Sequence, residues 1–326
     1  MNKIDNQNHV AIKKSRRKRL DEFTNFLIIF PPILGFLLFS CFPLVLSLIM
    51  TFFKMNSTIF SEATFVGFDN YVAILVKNLE SVTSGYAPEV HIKFYRSFLN
   101  LIIYWLSVPI SMVLGLMISF LINKNIKCKR LFRTVFFIPY VCSIVALSYS
   151  FKTMYDYNFG VLNSILNMFG IDKWQWINSD NTFQWGVMFM NTWKSIGYSV
   201  ILFQAALARV DESLYEAARV DGANDAQMFW KITWQAISPV TFFLLTMNTI
   251  GTLQSMAEQQ LLFVNNSGLE YGYYTPAYYM YDMMFLYVNS LGYGIAAAVG
   301  WLLAIFIMII TQINLRLSKK WVHYEF

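Results

Sequence analysis

Charge is scarce in this chain. Only 13% of its 326 residues are Asp, Glu, Lys or Arg, about half of the roughly 25% carried by an ordinary soluble domain. Groups that do chemistry are scarce too. Cys41, Cys128 and Cys142 stand alone, so they offer neither a disulfide framework nor metal spacing. His9, His91 and His323 are far apart, and no metal site is expected. The phosphate loop G-x-x-x-x-G-K-[ST] is absent, so no nucleotide cofactor is expected in the chain itself. Nor is there a trio of nucleophile, base and orienting group, which argues against an enzyme. Internal repeats and low-complexity segments are missing as well.

What is present is apolar: 56% of residues are hydrophobic. Crossing the hydrocarbon takes about 20 such residues as a helix, because every backbone N–H and C=O must be paired within the segment. Six stretches qualify, namely Phe23 to Phe53, Phe98 to Asn123, Thr134 to Phe151, Asn181 to Ala208, Ile232 to Ala257 and Met283 to Leu315. The expected fold is therefore an all-α polytopic membrane protein with six transmembrane helices. Residues 23–326 read as one membrane domain and 1–22 as a basic tail. The first apolar run is over twice as long as a signal-peptide core, so it reads as an anchor.

Lys and Arg placement sets the orientation, since short loops rich in them stay in the cytoplasm. Of 25 such residues, eighteen fall in the tail before Asp21, in the loops Lys124 to Arg133 and Arg209 to Lys231, and at the C-terminus. Both termini are thus expected in the cytoplasm. The net charge of +6 reads as topology and attraction to anionic lipid, the latter worth about 1 kcal/mol per charge, rather than as nucleic-acid binding. The aromatic residues of the outer segments "DKWQWINSD" and "YGYYTPAYYMYD" form either an interfacial belt or a docking surface. Gly292, Ala296 and Gly300, four apart, predict a close helix contact, within the chain or with a partner.

One polar stretch separates the fourth and fifth spans, "DESLYEAARVDGANDAQMFWKITW" from Asp211 to Trp234. Ser213 and Glu216 have capping-box spacing, Gly222 suits the left-handed residue that ends a helix, and Asn224 or Asp225 is placed to start another. The stretch predicts a helical elbow, on the cytoplasmic side, whose Ala217, Ala218, Gly222 and Ala223 offer a smooth face to a partner. Within the spans, Lys194 is the only charge; Glu258 stands at a span edge. Intramembrane charge marks a pathway by default. Asn248, Thr252 and Ser255 recur at i, i+4 and i+7, either lining a cavity or tying helices together.

The elbow resembles the EAA loop of the membrane subunits of binding-protein-dependent ABC importers: Glu216, Ala217, Ala218, Asp221, Gly222, Ala223 and Ile232 fit its pattern, within a coupling loop spanning 209–239. Trp234 and Gln235 depart from the usual Leu-Pro, and Pro239 fits a second proline common in sugar permeases. "VGFDNYV", "LFRTVFFIPY", "FGVLNSILNMFGI", "NTWKSIGYSVILFQAAL" and "KKWVHYEF" are similar to the carbohydrate class, particularly maltodextrin- and glycerol-phosphate-type first permease subunits. The resemblance implies a non-catalytic permease that works with a second permease, two ATP-binding subunits holding ATP and Mg, and an extracytoplasmic solute-binding protein. It implies that the elbow sits in an ATPase cleft with Glu216 facing an arginine there. It also implies that Trp193 and Tyr198, beside Lys194, lie near a sugar. The rival readings are a permease for polyamine or phosphate and, less favoured, a secondary transporter, which would show ion-coupling residues or inverted repeats.

Overall fold

The computed structural model describes residues 24–57, 59–76, 90–123, 128–263, 269–286 and 292–323; the basic tail 1–22 lies outside them. Among the described residues, four helices are long and apolar enough to cross a membrane. These are α1 (Thr24–Met50), α3 (Val90–Asn123), α9 (Asp225–Leu253) and α12 (Gly292–Ser318). A bent pair, α4 (Lys129–Val141) and α5 (Ile144–Met154), also qualifies if taken as one span turned through 95°. The long helix α7 (Phe183–Leu207) matches the remaining apolar stretch. Its 25 residues reach about 37 Å, but it is less apolar than the others. Fourteen of those residues are buried, so its polar side chains are sheltered from lipid by other helices.

The connections differ from the sequence expectation in four places. The second span begins at Val90, which moves Lys93 and Arg96 into the helix. The third span bends after Pro139, the last turn of α4 ending at Val141. The fifth stops at Leu253, so Ser255 and Glu258 lie beyond it, in a turn and in α10 (Ala257–Phe263). The sixth, expected to run unbroken from Met283, is instead split between α11 (Pro276–Phe285) and α12. Segments between the long helices carry the short helices α2 (Asp69–Leu75) and α6 (Val161–Met168). The only strands among the described residues are two of two residues each, β1 (Phe53–Lys54) and β2 (Thr64–Phe65), paired antiparallel.

Glycine decides where the helices touch. A Cβ on Gly197 of α7 would strike the backbone of Phe136 and Phe137 in α4, and one on Gly115 of α3 would strike Ser199. α7 is thereby held at close range by both neighbours. Ser119 fastens the second contact by donating to the Val200 carbonyl at 3.0 Å. The small residues of α12 pack within the chain: Gly294 abuts the Phe53 carbonyl and the Asn70 amide, and Gly300 abuts Met280. Asn70 in turn donates to the Thr51 and Phe53 carbonyls at 2.8 and 3.0 Å. We expect Gly294→Val to cost about 1–3 kcal/mol by overpacking and to lower the melting temperature in detergent. Gly35→Val should not, because a side chain there meets nothing within 4 Å.

The tyrosines of the segment expected outside form neither of the expected surfaces. Tyr273, Tyr274, Tyr278 and Tyr279 are all buried in the largest apolar cluster, because their loop is folded inward and pinned. Asp180 accepts from the N–H groups of Glu270, Tyr271 and Gly272, the last at 2.6 Å. Gln184 and Asn100 hold the Gly272, Tyr271 and Tyr274 carbonyls. Phe263 and Tyr273 stack at 3.7 Å between ring centres. Trp174, by contrast, is half exposed, and Trp176 stacks on Tyr155.

Candidate functional site

Two regions carry function-bearing residues, a cavity among the long helices and the elbow at one end of α9. The cavity holds about 310 Å³ and is lined from α3 by Tyr104 and Ser111, from α4 by Tyr140, from α7 by Asn191, Lys194, Ser195 and Tyr198, and from α9 by Asn248 and Thr252. Ser255 and Glu258 close it. Lys194 Nζ donates to Glu258 Oε1 at 2.8 Å, and both side chains are largely buried. Ser255 Oγ donates to the other carboxylate oxygen, and the Tyr104 hydroxyl also lies against Ser255 and Glu258. Tyr140 and Tyr198 stack almost parallel, 4.7 Å apart at 9°.

Five of the residues singled out in the sequence, Lys194, Tyr198, Asn248, Thr252 and Ser255, therefore meet in one cavity. Trp193 does not. One residue from Lys194 on a helix turns the side chain about 100° away, and Trp193 is half exposed and packs on Phe151 at 5.4 Å. Ser255 arrives from the turn after α9 rather than from its helical face. The tying role falls to neighbouring threonines: Trp105 Nε1 donates to Thr249 at 3.0 Å, and Asn314 to Thr246 at 2.8 Å. Sequence reasoning missed Tyr104, Ser111, Tyr140, Asn191 and Ser195. Only long-range packing brings them to Lys194, although the position of Glu258 at a span edge was a usable signal.

The elbow consists of α8 (Glu212–Val220) and the first turns of α9. Asp211, not the expected Ser213 and Glu216 pair, caps α8: its side chain accepts from the Ser213 N–H at 3.0 Å. That hydrogen bond holds the Asp211 carboxyl below its usual range. Gly222 has φ +76°, Ala223 N–H bonds the Ala218 carbonyl at 2.9 Å, and Gly222 N–H bonds that of Arg219 at 3.1 Å. This is the paired-bond ending that a left-handed glycine permits. Asn224 and Gln227 then cap each other reciprocally and start α9.

Of the seven coupling residues singled out, Ala218, Asp221, Gly222, Ala223 and Ile232 line one hollow of about 360 Å³. Glu216 and Ala217 lie outside that hollow, exposed on α8. The hollow is held from beneath. Tyr215 and Thr233 share a hydrogen bond at 2.8 Å between α8 and α9, and Phe229 packs on Phe120 of α3 at 5.7 Å. The C-terminal segment closes over the same helix: Trp321 stacks on Trp234 at 6.0 Å, and His323 N–H donates to Ser238 Oγ at 2.9 Å. Ser238 Oγ itself donates to the Gln235 carbonyl at 2.7 Å. That carbonyl sits four residues before Pro239, which has no N–H to give it.

Family comparison settles the class. Residues 91–322 match the model of the binding-protein-dependent transport system inner membrane component. The chain belongs to that family. Its relatives include the probable ABC transporter permease protein YesP of Bacillus subtilis (strain 168), 30% identical over 97% of this chain and 96% of YesP. The arabinooligosaccharides transport system permease protein AraP of the same organism is 32% identical over 88% of this chain and 86% of AraP. In fold, the permease resembles a chain in the crystal structure of a bacterial alginate ABC transporter in complex with an alginate pentasaccharide-bound periplasmic protein. The TM-score there is 0.74 at 22% identity, over 93% of this chain and 96% of that one. As an inner membrane component, the permease is a transport subunit, and both elbow and cavity lie within the matched residues.

Proposed function

We propose that this permease forms half of the translocation path of an ATP-driven importer for a sugar or oligosaccharide. The observation that carries the reading is that one continuous helix joins the elbow to the cavity. α9 begins at the capped turn after Gly222 and carries Asn248 and Thr252 into the cavity, about 35 Å further along. A push on the elbow therefore moves cavity-lining groups directly. The relative named for arabinooligosaccharide transport supports the substrate class. In this reading the elbow seats in one of two ATPase subunits that bind ATP and Mg, Glu216 meets a cation there, a second permease completes the path, and an external binding protein delivers the solute. Both termini and the elbow face the cytoplasm, which the Lys and Arg distribution supports.

The test is uptake into vesicles holding the whole complex, with ATP inside and a loaded binding protein outside. Uptake that needs neither ATP nor the binding protein would overturn the proposal. Within the same assay, Tyr198→Ala is expected to lower sugar-stimulated ATP hydrolysis severalfold, because it removes half of the Tyr140–Tyr198 stack in the cavity wall. Trp193→Ala should leave the dependence on sugar concentration near that of the unaltered chain, since its ring packs on Phe151 outside the cavity.

A further inference from the structure

We infer that the cavity selects uncharged saccharides and turns away sugar acids, a specificity that rests on the sugar reading above. Among the described residues lining the cavity, the charged ones are Lys194 and Glu258, and each is already paired with the other at 2.8 Å. Both carboxylate oxygens are engaged, because Ser255 donates to the second. What remains around the cavity is neutral: hydroxyls, amides and the apolar Val108 and Met247. Among the amides, Asn248 Nδ2 is buried with no hydrogen-bond partner, so a turn of its side chain towards the cavity would gain a hydrogen bond to a sugar hydroxyl that it lacks at rest.

Charge accounting then discriminates between ligands. A uronate that pairs with Lys194 must either displace Glu258, leaving a buried carboxylate without its counter-ion, or share the one ammonium with it, bringing two carboxylates together. A phosphate faces the same cost, and a polyamine faces its mirror image at Glu258. A neutral sugar disturbs neither partner and uses the hydroxyls of the wall as they stand. The pair thus fills the one position from which either charge would attract an ionic solute, and the cavity discriminates by what it would have to leave unpaired.

The experiment is a competition on the complete transporter complex in detergent. The probe is an equimolar mixture of neutral trisaccharides built from glucose, galactose or arabinose and of tri-uronates of equal length, with the retained sugars identified by mass spectrometry. The unaltered complex is expected to retain neutral trisaccharides over tri-uronates by about tenfold or more. Glu258→Gln frees the Lys194 charge and should move that ratio about tenfold or more towards the uronates. The double substitution Lys194→Gln with Glu258→Gln leaves no cation in the wall, so a uronate would bury its own carboxylate without a counter-ion, and the neutral preference should return. If Glu258→Gln alone does not assemble, the unaltered complex and the double variant still decide, because both must favour neutral sugars. Equal retention of both classes by the unaltered complex, or a ratio that Glu258→Gln leaves unmoved, overturns the selectivity. Retention of neither class overturns the sugar reading itself and this inference with it.

Discussion

Gly222→Pro should leave the chain folded in the membrane and strip ATP hydrolysis of its effect on uptake. The residue sits at φ +76°, and proline is fixed near −65°, so the turn cannot form as it stands. The substitution also removes the N–H that bonds the Arg219 carbonyl. Damage stays local, because a side chain at Gly222 meets nothing within 4 Å and the anchoring contacts of Tyr215, Phe229 and Trp234 lie elsewhere. Coupling between sites amounts to about 1–3 kcal/mol, or roughly 5- to 150-fold, and uptake per ATP should fall within that range. Gly222→Ala keeps the N–H and bears only the left-handed penalty of about 1–2 kcal/mol, so it should fall less. Measuring hydrolysis and uptake on the same vesicles decides the matter: full uptake by Gly222→Pro would mean that the shape of the elbow transmits nothing. Glu216→Lys separates contact from shape. Its side chain is exposed, and reversal should weaken co-purification with the proposed ATPase subunit without lowering the melting temperature of the permease.

The elbow was readable from sequence because its causes are local. A left-handed glycine, a capping asparagine and a helix-favouring alanine run act within a few residues, and the structure places them as such signals require. The start of α8 was misplaced: Asp211 lies one residue before α8 and caps it, so Ser213, already inside the helix, is left to donate its N–H rather than accept. The six apolar stretches were equally local in origin. Their breaks were read less well: the 95° turn between α4 and α5 follows Pro139, a local signal, whereas no proline or glycine lies in the turns just before the end of α11 at Phe285. The buried tyrosines make the same point. Four aromatic rings in an outer segment suit a lipid interface on composition alone, and only Asp180, Asn100 and Gln184, which lie about 90 to 170 residues earlier in the chain, turn them inward.

The cavity stood between these extremes. Helical spacing grouped Asn248, Thr252 and Ser255, of which the first two lie on α9, and the rarity of intramembrane charge drew attention to Lys194. Spacing could not say that Lys194 and Glu258, 64 residues apart, would meet. Nor could it tell Trp193 from Lys194, although adjacent positions on α7 face different neighbours.

That pairing sets the second large expectation. Lys194→Met should cost about 3–5 kcal/mol, the usual consequence of removing one partner from a buried ion pair, because Glu258 would keep Ser255 and Tyr104 but lose its counter-charge. Against a total stability on the order of 5–15 kcal/mol, such a loss should show as a sharply lower melting temperature and poor recovery of the complex. Replacing both partners, Lys194→Met with Glu258→Gln, removes the stranded charge and should return most of that loss, since a neutral pair of similar volume is often no less stable than the ion pair it replaces. Measuring both single variants and the double variant as a cycle isolates the pair term. If Lys194→Met melts with the unaltered chain, the carboxylate is solvated by other means and the bridge between α7 and α10 does not hold the cavity together. If the double variant is as unstable as the single one, the loss lies in packing rather than charge, and the cavity needs the lysine's length rather than its ammonium.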